Sequence, residues 1–361
     1  MAALVYEHLV DTLRSRGGAI PALPCDEFFA LMEALFTSSE ADLANRMPLM
    51  PVALSEFAAN IKVNESELRK SLETMADKGL VYTLDRNGVR HYVLLPLLPG
   101  IFEMQFLRGD VNERAVKLAH LFDAYFQAME TAFTESGATS IPFPIARVVA
   151  VEKEIPARHA VHPYDMVTTY IEKAEFIAVG NCYCRHHGEL LGKACSKPKD
   201  VCMAFGPDAR YVIERGFARP VTKEEALKIV ERAEQADLVH CSSNMSKYIQ
   251  FICNCCTCHC GILQSMQKYK LKGSAAVSGF VCSLDSDSCI SCGDCLERCP
   301  MGALTQKDEE TLFQESWCIG CGLCTSSCPT GALTLIPRTE PPVPPQDWRQ
   351  LNLKMLSSMH Q

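Results

Sequence analysis

No stretch of this 361-residue chain approaches the ~18–20 consecutive apolar residues that a membrane span requires. The longest apolar runs are broken, as in Val89–Ile101 by Arg90, His91 and two prolines, so no membrane contact is expected. No secretory leader is expected either. Met1–Arg16 reads as an amphipathic helix in which Glu7, Asp11 and Arg14 interrupt any apolar leader core. Nor is there a Gly-rich dinucleotide fingerprint, a P-loop, a nucleophile elbow or a His-Glu-x-x-His helix, which removes those motif-based routes to nucleotide binding, acyl transfer and zinc proteolysis. Basic charge is in deficit, with 35 Lys and Arg against 43 Asp and Glu and a net charge of −8, which disfavours a nucleic-acid surface.

What the chain has in excess is cysteine, 20 residues of it. Without export, so many thiols imply a reducing cytoplasm and metal ligation rather than a disulfide framework. The remaining composition, 48% apolar and 22% charged, is ordinary for a globular protein of two or three domains.

One cysteine pattern occurs twice, Cys289-x2-Cys292-x2-Cys295-x3-Cys299-Pro300 and Cys318-x2-Cys321-x2-Cys324-x3-Cys328-Pro329. The spacing wraps three thiolates around one cubane and sends the fourth to the cubane of the other half. Beyond the ligands, Cys299-Pro-Met-Gly-Ala-Leu-Thr305 echoes Cys328-Pro-Thr-Gly-Ala-Leu-Thr334, the mark of a duplicated half-domain. Zinc knuckles would need four-cysteine sets closed within each repeat, with different spacing. Residues 280–336 resemble the bacterial-type dicluster ferredoxins. The resemblance implies two [4Fe-4S] clusters, one on Cys289, Cys292, Cys295 and Cys328 and the other on Cys318, Cys321, Cys324 and Cys299. Gly293, Gly320 and Gly322 fit this reading, because glycine lets backbone crowd a cluster and turn its N–H groups toward sulfide.

A second cysteine-rich region precedes the repeats. Cys182, Cys184, Cys195 and Cys202, then Cys253, Cys255, Cys256, Cys258 and Cys260, follow segments that read as the strands Phe176–Val179 and Tyr248–Ile252. In extended chain, residues i and i+2 face the same way. A further centre is therefore expected on Cys182, Cys184, Cys253 and Cys255, with Cys195, Cys202, Cys256, Cys258 and Cys260 as alternates. An iron–sulfur cluster is expected there ahead of zinc. His186, His187 and His259 stand beside these thiols as ligand or solvated loop residues, and Arg185 would bring positive charge; His240 and Asn244 are candidate pocket residues. Cys25, Cys241 and Cys282 read as core or incidental.

Nearer the N-terminus, Ser55 and Asn64 are candidate helix caps, Gly79 ends the helix Glu65–Lys78, and Leu80–Leu84 with Val89–Leu94 flank the turn Asp85–Gly88. This order resembles a winged-helix domain. From Leu54 to Tyr92 six basic residues face six acidic ones, a poor footprint for DNA, so nucleic acid is not the expected partner.

The expected fold is α+β multidomain. It comprises a helical region over 1–137 with the winged-helix-like unit at about 50–99, an α/β cysteine-rich domain over 141–272, a small (βαβ)2 dicluster domain over 277–336, and a Pro-rich tail over 337–361. The tail ends in Trp348, Leu351, Leu353, Met355 and Leu356, an apolar arm that folds back or docks a partner subunit. Eight acidic and two basic residues between Phe280 and Ile336 suit docking to cationic redox proteins. The expected function is cytoplasmic single-electron transfer in anaerobic metabolism, between a soluble donor and a redox partner or a further cluster in the middle domain. Two alternatives are a redox-sensing winged-helix regulator and an oxidoreductase with a reactive cluster in the middle domain.

Overall fold

The computed structural model describes residues 2–17, 22–137, 143–155, 165–271 and 273–358. They form two compact units, and each is interrupted in sequence. Residues 183–194 and 210–219 group with 1–138, while 139–182, 195–209 and 220–361 form the second unit.

The first unit is mainly helical. Helix Ser38–Asn45 begins with a capping box between Thr37 and Glu40, worth about 1 kcal/mol. Strand β1 (Val52–Ala53) precedes helices Leu54–Ile61 and Glu65–Asp77, and the hairpin β2 (Val81–Arg86) and β3 (Val89–Leu94) completes an antiparallel sheet of order β1-β3-β2. Asn64 caps the second helix by accepting from the N–H groups of Ser66 and Glu67, and Gly79 leaves it at φ +71°. Ser55 does not cap its helix. That helix starts two residues earlier, at Leu54 after Ala53, so Ser55 lies inside its first turn. Phe28, Phe57, Phe106, Phe122 and Tyr125 are buried in one core, onto which the helix Tyr183–Leu190 packs Tyr183, Cys184 and Leu190.

The second unit is built on β4 (Ala146–Val149), β5 (Ile177–Gly180), β6 (Cys202–Phe205), the short β7 (Arg219–Pro220), β8 (Val239–Ser243) and β9 (Phe251–Cys255), in the order β4-β8-β9-β6-β5-β7. The pairs β4/β8, β8/β9, β9/β6 and β6/β5 are antiparallel. An open parallel sheet with its ligand crevice is therefore not the scaffold here. Thr222 caps the helix Lys223–Gln235 through the N–H of Glu225, and this helix buries Ala226, Ile229 and Ala233. The helix Val167–Lys173 buries Val167 and Ile171.

A small module completes this unit. β10 (Phe280–Leu284) leads to helix Asp294–Arg298 and β11 (Leu304–Lys307); β12 (Glu310–Phe313) leads through two short 3-10 turns to β13 (Leu333–Pro337). β10 pairs with β13 and β11 with β12, both antiparallel, so the strands of the two repeats interlock. The tail lies against its own unit. Backbone N–H groups of Ser246 and Lys247 donate to the carbonyls of Pro345 and Gln346, and Leu351 is buried.

Candidate metal centres

In the small module, Cys289 and Cys292 lie on the loop after β10. Gly293, at φ +87°, turns the chain into the helix that carries Cys295, and Cys299 caps its end. The second repeat runs from Cys318 through Gly320 and Gly322, both at positive φ, to Cys324 and Cys328. One cavity is lined by Cys289, Cys292, Cys295 and Cys328. Its neighbour is lined by Cys299, Cys318, Cys321 and Cys324. Each cavity takes three thiols from one repeat and the fourth from the other.

Apolar residues line both, Leu284, Ile290 and Leu333 in the first, which also has Asp294, Thr311 and Thr330 in its wall, and Met301, Phe313 and Leu335 in the second. Backbone N–H groups reach the sulfurs, Ser291 to Cys289 at 3.4 Å and Ala303 to Cys299 at 3.2 Å. A Cβ at Gly320 would stand 2.0 Å from the Phe280 carbonyl, so close approach and positive φ both demand glycine. Four thiols, few competing polar groups and N–H donors to sulfur are what a [4Fe-4S] cluster needs, and these residues fit one in each cavity.

Burial pushes the Cys321 thiol well above its ordinary value. Burial and the neighbouring Cys324 push Cys295 up to about 11. At Cys289 the N–H of Ser291 and the hydroxyl of Thr311 hold the thiol below its usual value. The buried thiols keep their protons until metal displaces them, so loading releases protons. Cys282, which read as core or incidental, is buried in the module's core and lines the second cavity, with its Sγ 3.7 Å from that of Cys324. Its position on β10 is the reason, and no spacing rule points to it.

The larger sheet gathers a second set of thiols. β9 begins later in the chain than the expected strand Tyr248–Ile252, so Cys253 and Cys255 lie within it. In the β8/β9 register Cys241 faces Cys253 and His240 faces Asn254. Strand alternation therefore puts Cys241, Cys253 and Cys255 on one face and His240 with Asn254 on the other. Cys202, on β6, makes sulfur contacts with Cys182 and Cys253, which with burial raise its pKa far above normal. Cys255 is raised likewise, through contacts with Cys241, Cys253 and Cys260 and through burial. Cys182, Cys202, Cys253, Cys255, Cys241 and Cys260 thus form one continuous buried thiol face.

Of the four thiols expected to make a further centre, Cys182, Cys253 and Cys255 join this face. Cys184 stands on the helix Tyr183–Leu190 and packs on the core of the helical unit. The extended geometry needed to align Cys182 with Cys184 ends at Gly180, where the chain turns toward that helix. His186 and His187 follow Cys184 into the helical unit, where their Nε2 atoms bond the carbonyls of Asp110 at 2.9 Å and Ala119 at 3.0 Å. They are buried helix residues rather than loop ligands. His240 bonds Asn254 at 2.5 Å and Glu234 at 3.3 Å, bracing the sheet from behind the thiol face. Asn244 bonds the Pro144 carbonyl at 2.9 Å, a structural contact.

The remaining thiols meet elsewhere. Cys195, Cys256, Cys258 and His259 bring one ligand atom each within 4.8 Å of one another. Cys195 Sγ and Cys258 Sγ lie 3.5 Å apart. Burial and the contacts with Cys256 and Cys195 push the Cys258 thiol up to about 12. No helix among the described residues is long and apolar enough to cross a membrane. No curated protein and no solved structure matches the chain. Residues 288–333 match a family model described as a 4Fe-4S dicluster domain, and this part of the chain is an iron–sulfur domain.

Proposed function

We propose that this chain is an electron-transfer protein holding two [4Fe-4S] clusters, one on Cys289, Cys292, Cys295 and Cys328 and the other on Cys318, Cys321, Cys324 and Cys299. The observation that carries the reading is the pair of four-thiol cavities, each assembled across both repeats. Clusters bound there supply outer-sphere one-electron exchange, which needs no acid or base. The chain's own work is to exclude water with Leu304, Phe313 and Leu333 and to hold the ligand loops. Arg338 serves the second task, donating to the Cys318 carbonyl at 2.6 Å and to that of Ser278 at 3.1 Å.

Electrons pass between a soluble donor and either a redox partner or a third centre on the buried thiol face. Cys202 takes the place expected for Cys184 in that centre, beside Cys182, Cys253 and Cys255. All eight acidic side chains of the module are exposed, which favours a cationic partner and a rate that falls with salt. A chain with twenty cysteines and metal-ligand spacing suits a reducing cytoplasm.

The winged-helix-like segment serves better for partner docking than for DNA. Arg215 pairs with Glu73 at 2.6 Å and Asp77 at 2.8 Å, and Arg90 pairs with Asp85 at 3.2 Å, so these two cations beside its hairpin are already neutralised. A promoter gel shift at low salt would reverse that assignment. The main test is iron and acid-labile sulfide on anaerobically purified protein, with EPR after reduction. About 8 iron or more per chain, reducible one electron at a time, is expected; about 4 or fewer in fully loaded protein would sink the two-cluster reading.

A further inference from the structure

Nine cysteines of the larger sheet region sort into separate groups, and one group is too tight for a cluster. Cys195 comes from the loop before β6; Cys256, Cys258 and His259 come from the turn after β9. The four ligand atoms lie within 4.8 Å of one another, and two of the sulfurs are 3.5 Å apart. A tetrahedron with zinc–sulfur bonds of ~2.3 Å has edges of ~3.8 Å, close to the 3.5 Å between Cys195 and Cys258 and within reach of a group that spans no more than 4.8 Å. A cubane interposes a metal–metal edge between its ligands and must hold its thiolates further apart. The donor set, three thiols and an imidazole closed on one point, is that of a structural zinc site.

We infer that Cys195, Cys256, Cys258 and His259 bind a single four-coordinate zinc ion, separate from any iron–sulfur centre. This goes beyond the electron-transfer reading and does not depend on it. Strand alternation supports the separation, since Cys255 turns into the buried thiol face while Cys256 packs into the opposite apolar core beside Ile252, Val201 and Phe205. Cys258 is exposed, so the site spans from core to surface and closes at the rim. The ion pins two loops at once. Cys195 leads into β6, which carries Cys202, and Cys256 follows Cys255 directly. The surroundings already restrain both loops: Lys197 pairs with Asp237 at 3.6 Å, and Gln264 donates to the Cys258 carbonyl at 2.7 Å. Binding exchanges three thiol protons, released to water, for one zinc ion held by three thiolates and a neutral imidazole.

The test is zinc and iron content of the full chain purified anaerobically, for the wild type and for Cys258→Ser, with the spectrum of protein loaded with cobalt(II) in place of zinc. The wild type is expected to hold about one zinc per chain. Cobalt protein should show sulfur-to-metal charge transfer in the near ultraviolet and intense tetrahedral bands in the red. Cys258→Ser should lower zinc about tenfold and leave iron unchanged. If that variant does not fold, the wild-type zinc count and cobalt spectrum decide alone. Wild-type protein with full iron and neither zinc nor tetrahedral cobalt would overturn the inference and leave the electron-transfer reading standing. Iron lost in Cys258→Ser in place of zinc would also overturn it. One zinc with no iron would instead sink the electron-transfer reading alone.

Discussion

The iron–sulfur domain draws its eight repeat thiols from one continuous stretch, Cys289 to Cys328, whereas the larger sheet gathers its thiols from Cys182, Cys195, Cys202, Cys241 and the run Cys253 to Cys260. In the first region local turns set the ligand geometry. Each short cysteine spacing is itself the loop that wraps the metal, and glycine at Gly293, Gly320 and Gly322 supplies the backbone angles. In the second, pairing of β6, β8 and β9 sets it, and neighbouring cysteines such as Cys255 and Cys256 part to opposite faces. Sequence proximity of thiols implies a shared metal only where the chain between them is a loop.

The contrast breaks most sharply at single ligands. Cys321→Ala removes a buried thiol from one cavity and should cost about four of about eight iron atoms, read by iron and sulfide analysis. If the same change also emptied the larger sheet of metal, the two regions would not be independent.

Glycine offers the next test. Gly320→Ala combines positive φ with a Cβ placed against the Phe280 carbonyl, and should cost about 3 kcal/mol or more in denaturant unfolding. A neutral result would remove the claim that local backbone shapes this site.

The larger sheet should respond instead to its polar brace. Although burial works against it, bonds from His240 and from Lys153, 2.7 Å away, hold the Glu234 carboxyl below its usual range. A depressed acid stabilises the fold above its unfolded pKa of about 4.5 and loses that contribution as pH falls through the lower folded value. Glu234→Gln should therefore cost about 1–2 kcal/mol at pH 7 and flatten the acid limb of the stability curve below pH ~4.5. An unchanged acid limb would show that the brace carries no charge-dependent stability.

The smallest expected effect is at Cys282. In the thiol form Cys324 donates to Cys282 Sγ at 3.7 Å; once Cys324 is held as a thiolate, the Cys282 S–H becomes the donor between them and favours the more negative, reduced state. Cys282→Ala should lower the potential of that centre by about 40 mV, the equivalent of a hydrogen bond of ~1 kcal/mol in a one-electron couple. Redox titration followed by EPR measures it, and no shift would return Cys282 to a packing role.

Much of the first region was legible because its code is local. The repeated cysteine spacing, the paired prolines and the glycines name an iron–sulfur domain before any fold is known, and the same locality made Asn64, Gly79 and the hairpin at Asn87–Gly88 readable. The misreadings share one cause. Ser55 failed as a cap because the helix began two residues sooner, and Cys184 stands on a helix rather than in extended chain because the strand ended at Gly180. Cys241 and Cys282 looked isolated because their sulfur neighbours, Cys255 and Cys324, stand in other strands or loops.

Alone, the sequence determined that residues 288–333 are an iron–sulfur domain, since ligand spacing, turn residues and metal are coupled within a few bonds of chain. Only the tertiary structure decided which thiols of the larger sheet meet, placed His186 and His187 in the helical unit, and drew Cys195 to Cys258. Those contacts depend on strand register and on packing between distant segments, and a one-residue shift along a strand turns every side chain to the other face.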